Sequence, residues 1–235
     1  KDMVASSSAA GGLRMTVHGL VHEMTVKAAK EAALGAGANI KMVTSGVLSS
    51  YDLDEITAIS PNIILLAGGV DYGEKNTVLS NAGLLAESGL KIPVIYAGNV
   101  AVRGQVSSIL EKAGMTVFAV DNVYPRIDQL NVEPTRAVIQ DVFEKHITEA
   151  PGMSKIRSLV TGRIIPTPGA VMLGPKPLPS ALGDLVVIDV GGATPDTHSG
   201  TGGRFANPPQ ATAPDPLAKV TVAAKLGAHV TPPEL

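Results

Sequence analysis

Short apolar runs alternate with helical stripes through the first 150 residues. Strand-like runs lie at 39–44, 63–66, 92–96 and 116–120, and helical periodicity covers 53–59, 76–88 and 101–113. The runs begin roughly 23–30 residues apart, which is the size of a βαβ unit. The pattern predicts an α/β fold in which repeated βα units form a mainly parallel sheet with helices on both faces.

The flanking segments extend this repeat in both directions. Residues 13–20 alternate apolar and polar positions, which predicts a half-buried strand, and Thr25 is placed to cap a helix over 26–34. A longer helix is predicted at 133–148, with Pro134 in its first turn. We therefore predict an α/β repeat domain over 13–150. The Pro- and Gly-rich residues 151–184 are predicted to form a connector, and a further segment covers 185–235.

The run at 185–190 ends in an aspartate and a glycine pair. Its four consecutive apolar residues suit a strand buried on both faces, and Asp189, Gly191, Gly192, Ala193 and Thr194 follow or close it. Asp189 is a candidate Mg²⁺ ligand, and the glycines are candidates to turn backbone N–H groups toward a phosphate. A buried strand that ends in a Gly-rich bend, with no ligand, would have the same sequence.

Loops at the carboxyl ends of parallel strands are the usual ligand sites of such folds. Gly68 and Gly69 follow the most apolar strand and lead to a helix that Asn76 and Thr77 would cap, so an anion or cofactor contact is one interpretation. A packing turn is the other. The ends near 97–99 and 121–122 indicate ordinary turn and capping chemistry. His18 is predicted on a strand and His22 in a loop, which argues against a shared metal site.

Composition narrows the function classes. The 235 residues are 45% hydrophobic and 17% charged with a net charge of −2, so we expect a packed core and no nucleic-acid partner. The absence of cysteine excludes disulfides and Cys nucleophiles and fits a cytoplasmic protein. No apolar run reaches the ~18–20 residues of a membrane span. The sequence also lacks a Walker lysine loop and a Gly-x-Ser-x-Gly elbow.

Four stretches resemble one family. Residues 5–13 (ASSSAAGGL), 62–71 (NIILLAGGVD), 165–171 (IPTPGAV) and 189–194 (DVGGAT) are similar, in the same order, to the MutL-type accessory proteins of methylaspartate (glutamate) mutase. These are distinct from the mismatch-repair proteins of the same name. The likeness covers residues 5–199, and Pro195 stands where the family usually has threonine.

The resemblance implies an actin-like ATPase fold that binds Mg-ATP between two lobes, with part of one lobe in residues 185–235. It implies that Asp189 lies near the metal and that Gly191, Gly192, Ala193 and Thr194 lie at the phosphates. It also implies a chaperone-like role, in which ATP drives exchange of spent cobalamin from an adenosylcobalamin-dependent mutase. The first phosphate turn and the adenosine loop of the family are expected before residue 6 and after residue 235.

Two alternatives remain open from the residues themselves. Residues 13–150 could form a non-enzymatic small-ligand or cofactor module that uses the loop of Gly68 and Gly69. The chain could also be a purely structural domain, or a docking domain that grips the mutase.

Overall fold

The computed structural model describes residues 3–7, 13–148, 153–167, 170, 182–183, 185–190, 195–200 and 218–222. The strands are β1 (Ala5–Ser7), β2 (Leu13–Gly19), β3 (Ala38–Ser45), β4 (Ile63–Leu66), β5 (Val94–Tyr96), β6 (Val117–Ala119), β7 (Ile164–Pro166), β8 (Leu185–Val190), β9 (Pro195–Gly200) and β10 (Ala218–Val222). The helices are α1 (Lys27–Gly35), α2 (Ser50–Ile59), α3 (Asn76–Glu87), α4 (Arg103–Lys112), α5 (Glu133–Thr148) and α6 (Met153–Leu159).

The central sheet is parallel throughout and has the order β3-β2-β4-β5-β6. One apolar cluster joins one face of the sheet to α1 and α5, through residues such as Met15, Ile63 and Phe143. A second cluster joins the other face to α2, α3 and α4, through residues such as Ile64, Leu66 and Val106. The predicted α/β fold, with repeated βα units and helices on both faces of a parallel sheet, is confirmed.

Several local expectations differ from the structure. β2 is not half-buried, because it lies between β3 and β4 and its polar residues Thr16 and His18 are fully buried. Thr25 does not cap α1; its hydroxyl accepts the backbone N–H groups of Leu20 and Val21, and a π-helical turn, His22–Val26, leads into the helix. α2 begins at Ser50, three residues before the predicted start.

The start of α2 is fixed by a capping box. The Ser49 hydroxyl accepts the backbone N–H of Asp52, and the Asp52 carboxylate accepts the backbone N–H of Ser49 at 2.7 Å. Hydrogen bonds from Ser49 also hold the pKa of Asp52 below its ordinary value. At the start of α3, Asn76 and Thr77 are not the cap. The Glu74 carboxylate accepts the backbone N–H of Thr77 instead.

Two smaller groups of strands accompany the central sheet. β1 and β7 form a parallel pair, so part of the predicted connector is regular structure and includes α6. β8, β9 and β10 form an antiparallel sheet. The prediction that 185–190 is buried on both faces is wrong, because Val186 and Ile188 are 64% and 63% exposed. An antiparallel strand commonly leaves one face uncovered, whereas a strand in a doubly covered parallel sheet does not.

No helix in the described part of the chain is long and apolar enough to cross a membrane.

Candidate functional site

The connections of the sheet change face at its carboxyl edge. The chain leaves β2 for α1 on one face, whereas it leaves the neighbouring β4 for α3 on the other face. The strand order places this reversal between β2 and β4. Doubly wound sheets bind ligands outside the carboxyl ends of the strands at such a switch point. The loops that follow β2 and β4 therefore form the candidate site.

A buried histidine lies near the end of β2. His18 Nδ1 is 2.7 Å from the Thr44 hydroxyl, and its Nε2 is 2.9 Å from the Thr16 hydroxyl. Burial lowers the pKa of His18 to about 4, although the nearby Asp52 carboxylate acts in the opposite direction. The imidazole is therefore neutral at pH 7, with one ring nitrogen donating and the other accepting. Its strand position agrees with the sequence, and His22 lies apart from it, in the π-helical turn.

The loop after β4 is fastened by an asparagine from the end of β5. The Asn99 side-chain oxygen accepts the backbone N–H of Tyr72 at 2.9 Å, and its amide nitrogen donates to the carbonyls of Gly73 and Glu74. The Tyr96 hydroxyl donates to the Asn99 carbonyl at 2.8 Å, and burial raises the pKa of that phenol. Asn99 is fully buried, and its hydrogen bonds fix the loop after β4 to the loop after β5.

A second asparagine, from the end of β6, holds the same loop. The Asn122 amide nitrogen donates to the Gly69 carbonyl at 3.0 Å and to the Asp71 carboxylate at 2.9 Å. The other contact of that carboxylate is the backbone N–H of Val100, also at 2.9 Å. The loops after β4, β5 and β6 therefore form one hydrogen-bonded unit, and buried polar groups satisfied in this way stiffen a structure.

Close backbone packing explains the glycines of these loops. A Cβ on Gly98 would lie 2.5 Å from the backbone nitrogen of Gly68, and one on Gly69 would lie 2.9 Å from the Glu74 carbonyl oxygen. A Cβ on Gly68 would lie 3.3 Å from the Asn99 nitrogen. These contacts favour a packing role for Gly68 and Gly69. The predicted cofactor contact at these two residues stays a prediction.

The loop after β3 is fixed from α3. The Asn81 side chain accepts the backbone N–H of Leu48 at 2.8 Å and donates to the Gly46 carbonyl at 2.9 Å. Asn81 is buried, and its bond to Leu48 is shielded from water. Buried asparagines thus hold backbone groups in the loops after β3, β4, β5 and β6.

The second predicted site lies on the antiparallel sheet. Asp189 is the fifth residue of β8 and is the register partner of Asp196 on β9, and Val190 is the partner of Pro195. Gly191, Gly192, Ala193 and Thr194 lie outside the described residues. Among the described residues, no group of three or more His, Asp or Glu side chains is arranged to hold a metal ion.

Sequence reasoning missed the bridging roles of the asparagines. Asn99 and Asn122 were expected to form turns and caps, and Asn99 does accept the backbone N–H of Ala101 in the 3₁₀ turn Val100–Val102. Their second role links loops that are 25–53 residues apart in sequence, which no local pattern displays. The available signal was an asparagine within three residues of the ends of two successive strands.

Comparisons with known proteins identify the family. The whole chain, residues 1–235, matches the family described as MutL protein. It is 45% identical over 232 residues to the protein named "Protein MutL" from Clostridium tetanomorphum. The match covers 95% of this chain and 50% of the relative, so the chain spans about half the length of that relative.

A solved structure gives a weaker likeness. The sugar isomerase domain of an RpiR transcription factor from Sphaerobacter thermophilus is 14% identical, and the match covers 62% of this chain and 76% of that one. The TM-score of 0.34 is too low to support an argument about fold or function. The family match over the full chain decides the assignment: the chain belongs to the MutL family.

Proposed function

We propose that this chain is part of a chaperone-like factor that reactivates an adenosylcobalamin-dependent glutamate (methylaspartate) mutase at the expense of ATP. The mutase performs the radical chemistry, and the factor exchanges cobalamin that has lost its adenosyl group for intact cofactor. The observation that carries this proposal is the family match over residues 1–235. The four family-like stretches of the sequence support it further.

In this proposal the connection between β8 and β9 is the phosphate-binding part of the ATP site. Asp189 is the metal ligand, and Gly191, Gly192, Ala193 and Thr194 contact the phosphates. The backbone geometry supports a site of this kind, because β8 and β9 are antiparallel neighbours that flank residues 191–194. Gly191 and Gly192 lack a Cβ, which allows backbone N–H groups to approach an anion closely.

The residues at this point suit Mg²⁺ chemically. Asp189 and Asp196 are opposed across the strand pair, so two carboxylate-bearing residues lie at the same level of the sheet. Mg²⁺ prefers oxygen ligands and keeps several waters while it binds one or two carboxylates and the phosphates of its substrate. When bound, the ion neutralises phosphate charge. Asp189 would hold it, and Asp196 is the nearest second carboxylate in register.

Recovery of an inactivated mutase tests this function. Glutamate mutase loaded with cyanocobalamin is mixed with the full-length protein, free adenosylcobalamin and Mg-ATP, and mutase activity is followed with time. We expect recovery with ATP, and no recovery with a non-hydrolysable ATP analogue or without the protein. Equal recovery in all of these mixtures would contradict a nucleotide-driven exchange.

A further inference from the structure

Exposed large apolar side chains in the described part of the α/β repeat domain are confined to the carboxyl edge of its sheet. Within residues 13–146, which the structure describes throughout, five large apolar side chains are exposed, by between 43% and 78%. All five lie in the loops and helix starts that follow the parallel strands: Val21, Val47, Tyr51, Tyr72 and Ile127. We call them together the carboxyl-edge surface. At the amino edge and on the helices beyond their first turns, the large apolar residues of 13–146 are buried or half-buried, as Leu79 and Ile109 are.

Tyr72 is held in a costly conformation. Its φ is +62°, in the left-handed region that residues other than Gly and Asn rarely adopt. The Asn99 side chain accepts its backbone N–H and keeps it there, yet the Tyr72 ring itself is among the most exposed in the domain. Glycine would adopt this backbone without strain. A contribution to the stability of the fold therefore does not explain why a tyrosine stands at this position. Backbone strain of this kind tends to occur at functional positions.

The surface is preorganised. Asn99, Asn122 and Asp71 hold the loop that carries Tyr72 through bonds of 2.9–3.3 Å. A rigid loop loses little conformational entropy when it binds, so exposed aromatic groups on it gain affinity. The same asparagines and the close contact between Gly68 and Gly98 fill the space between the loops. The edge therefore presents side chains outward and suits a macromolecular partner better than a small ligand.

The charge of the edge indicates the charge expected on a binding partner. The segments 20–25, 46–52, 67–75, 97–103 and 120–131 contain six carboxylates and three basic residues: Glu23, Asp52, Asp71, Glu74, Asp121 and Asp128 against Lys75, Arg103 and Arg126. Arg103 pairs with Asp121 at 3.0 Å, so the edge keeps an excess of negative charge. A partner that complements this edge has Lys and Arg around apolar recesses. The same charge disfavours a nucleic-acid backbone. Exposed aromatic and aliphatic groups with a charged rim are typical of a protein interface.

We propose that the carboxyl-edge surface docks a folded protein whose contacting face is basic at its rim and apolar at its centre. This inference rests on the proposed function, by which that partner is the mutase. Tyr72 and Ile127 are the expected anchors, because both are highly exposed and stand on the loops after β4 and β6. The anchors insert into the apolar recesses, and the exposed carboxylates Glu23, Glu74 and Asp128 pair with the basic rim.

Binding of the mutase to the full-length protein tests this proposal. Tyr72→Gly removes the ring and relieves the strained φ, so the unfolding midpoint should stay the same or rise. Combined with Ile127→Asn, it should weaken the affinity at least about tenfold, as expected for the loss of two anchor side chains. Leu159→Ala is the matched control, since Leu159 on α6 is comparably exposed to Ile127, 65% against 69%. Glu74→Lys should weaken binding in low salt more than in high salt.

The outcomes separate the two proposals. Wild-type affinity in the double variant, within about twofold, overturns the docking surface and leaves the proposed function standing. Loss of binding in the Leu159→Ala control to the same extent overturns it as well. No binding of the mutase by the wild-type protein overturns the proposed function and the identity of the partner together. Selective loss in the double variant, with an unchanged control, supports the surface.

Discussion

A single buried histidine makes the stability of the sheet depend on pH. The folded protein keeps His18 neutral down to a pKa of about 4, whereas the unfolded chain takes up its proton near pH 6.5. The unfolded state therefore binds more protons between these two values, so stability falls as the pH falls through that window. Below about pH 4 both states are protonated, and this contribution no longer changes.

The expected loss is about 3 kcal/mol between pH 7 and pH 4, from 1.36 kcal/mol for each pKa unit. Urea unfolding at several pH values measures it. His18→Asn is the comparison, since it keeps a polar side chain near Thr16 and Thr44 but does not titrate. The slope should be shallower in the variant than in the wild type. Parallel slopes in the two proteins would show that other groups cause the acid sensitivity.

A glycine at the end of β5 is required by backbone contact. In Gly98→Ala the new Cβ would meet the Gly68 backbone nitrogen at 2.5 Å, and no flexible side chain can move aside. We expect a loss of about 1–3 kcal/mol of unfolding free energy. Gly83→Ala is the control, because Gly83 lies within α3 and its Cβ would have open space. The control should gain about 0.5–1 kcal/mol, the usual helix preference for alanine. Similar effects of both changes would contradict the close contact.

At the scale of elements, Asn99 is expected to determine the order of the loop after β4. Asn99→Ala leaves the backbone groups of Tyr72, Gly73 and Glu74 without their partner, at a cost of about 3 kcal/mol. Asn99→Asp keeps the acceptor for Tyr72 but places a buried carboxylate against the Gly73 and Glu74 carbonyls, so its effect should be at least as large. Hydrogen exchange of the Tyr72 amide is the readout. An amide that stays protected in Asn99→Ala would show that the loop is held by other contacts.

The helices and strands were predictable where one strong pattern dominates. The apolar run of β4, the stripe of α4 and the proline in the first turn of α5 each indicate a single structure, and all three are confirmed. The errors have physical causes. Thr16 and His18 were expected to be exposed because polar residues usually are, but their side chains form a hydrogen bond with each other within the sheet. Leu185–Val190 looked like a doubly buried strand, because an apolar run does not reveal the direction of its neighbours.

The site was predictable only in its position. The sequence indicates that the ends of parallel strands are the place for chemistry, and the loops there are indeed close together. The links from Asn99 and Asn122 to residues far away in the chain depend on the strand order, which local patterns do not contain. The strained φ of Tyr72 and its exposure also emerge only from the folded chain.

At the scale of the whole molecule, the chain combines two kinds of structure with separate proposed tasks. The parallel domain carries the carboxyl-edge surface, and the antiparallel sheet of β8, β9 and β10 carries Asp189. The chain spans about half of its MutL relative from Clostridium tetanomorphum. The proposed nucleotide site therefore has to be tested in the full-length protein.

The rate of ATP hydrolysis by the full-length protein tests the proposed nucleotide site most directly. Wild-type protein should hydrolyse ATP slowly and only with Mg²⁺. Asp189→Asn should reduce that rate at least about a hundredfold, because a neutral amide is a far weaker ligand for the ion than a carboxylate. Asp54→Asn, which removes an exposed carboxylate on α2, should leave the rate unchanged. Hydrolysis at the wild-type rate in Asp189→Asn, or none in the wild-type protein, would contradict the assignment of Asp189 to the metal of an ATP-driven reactivating factor.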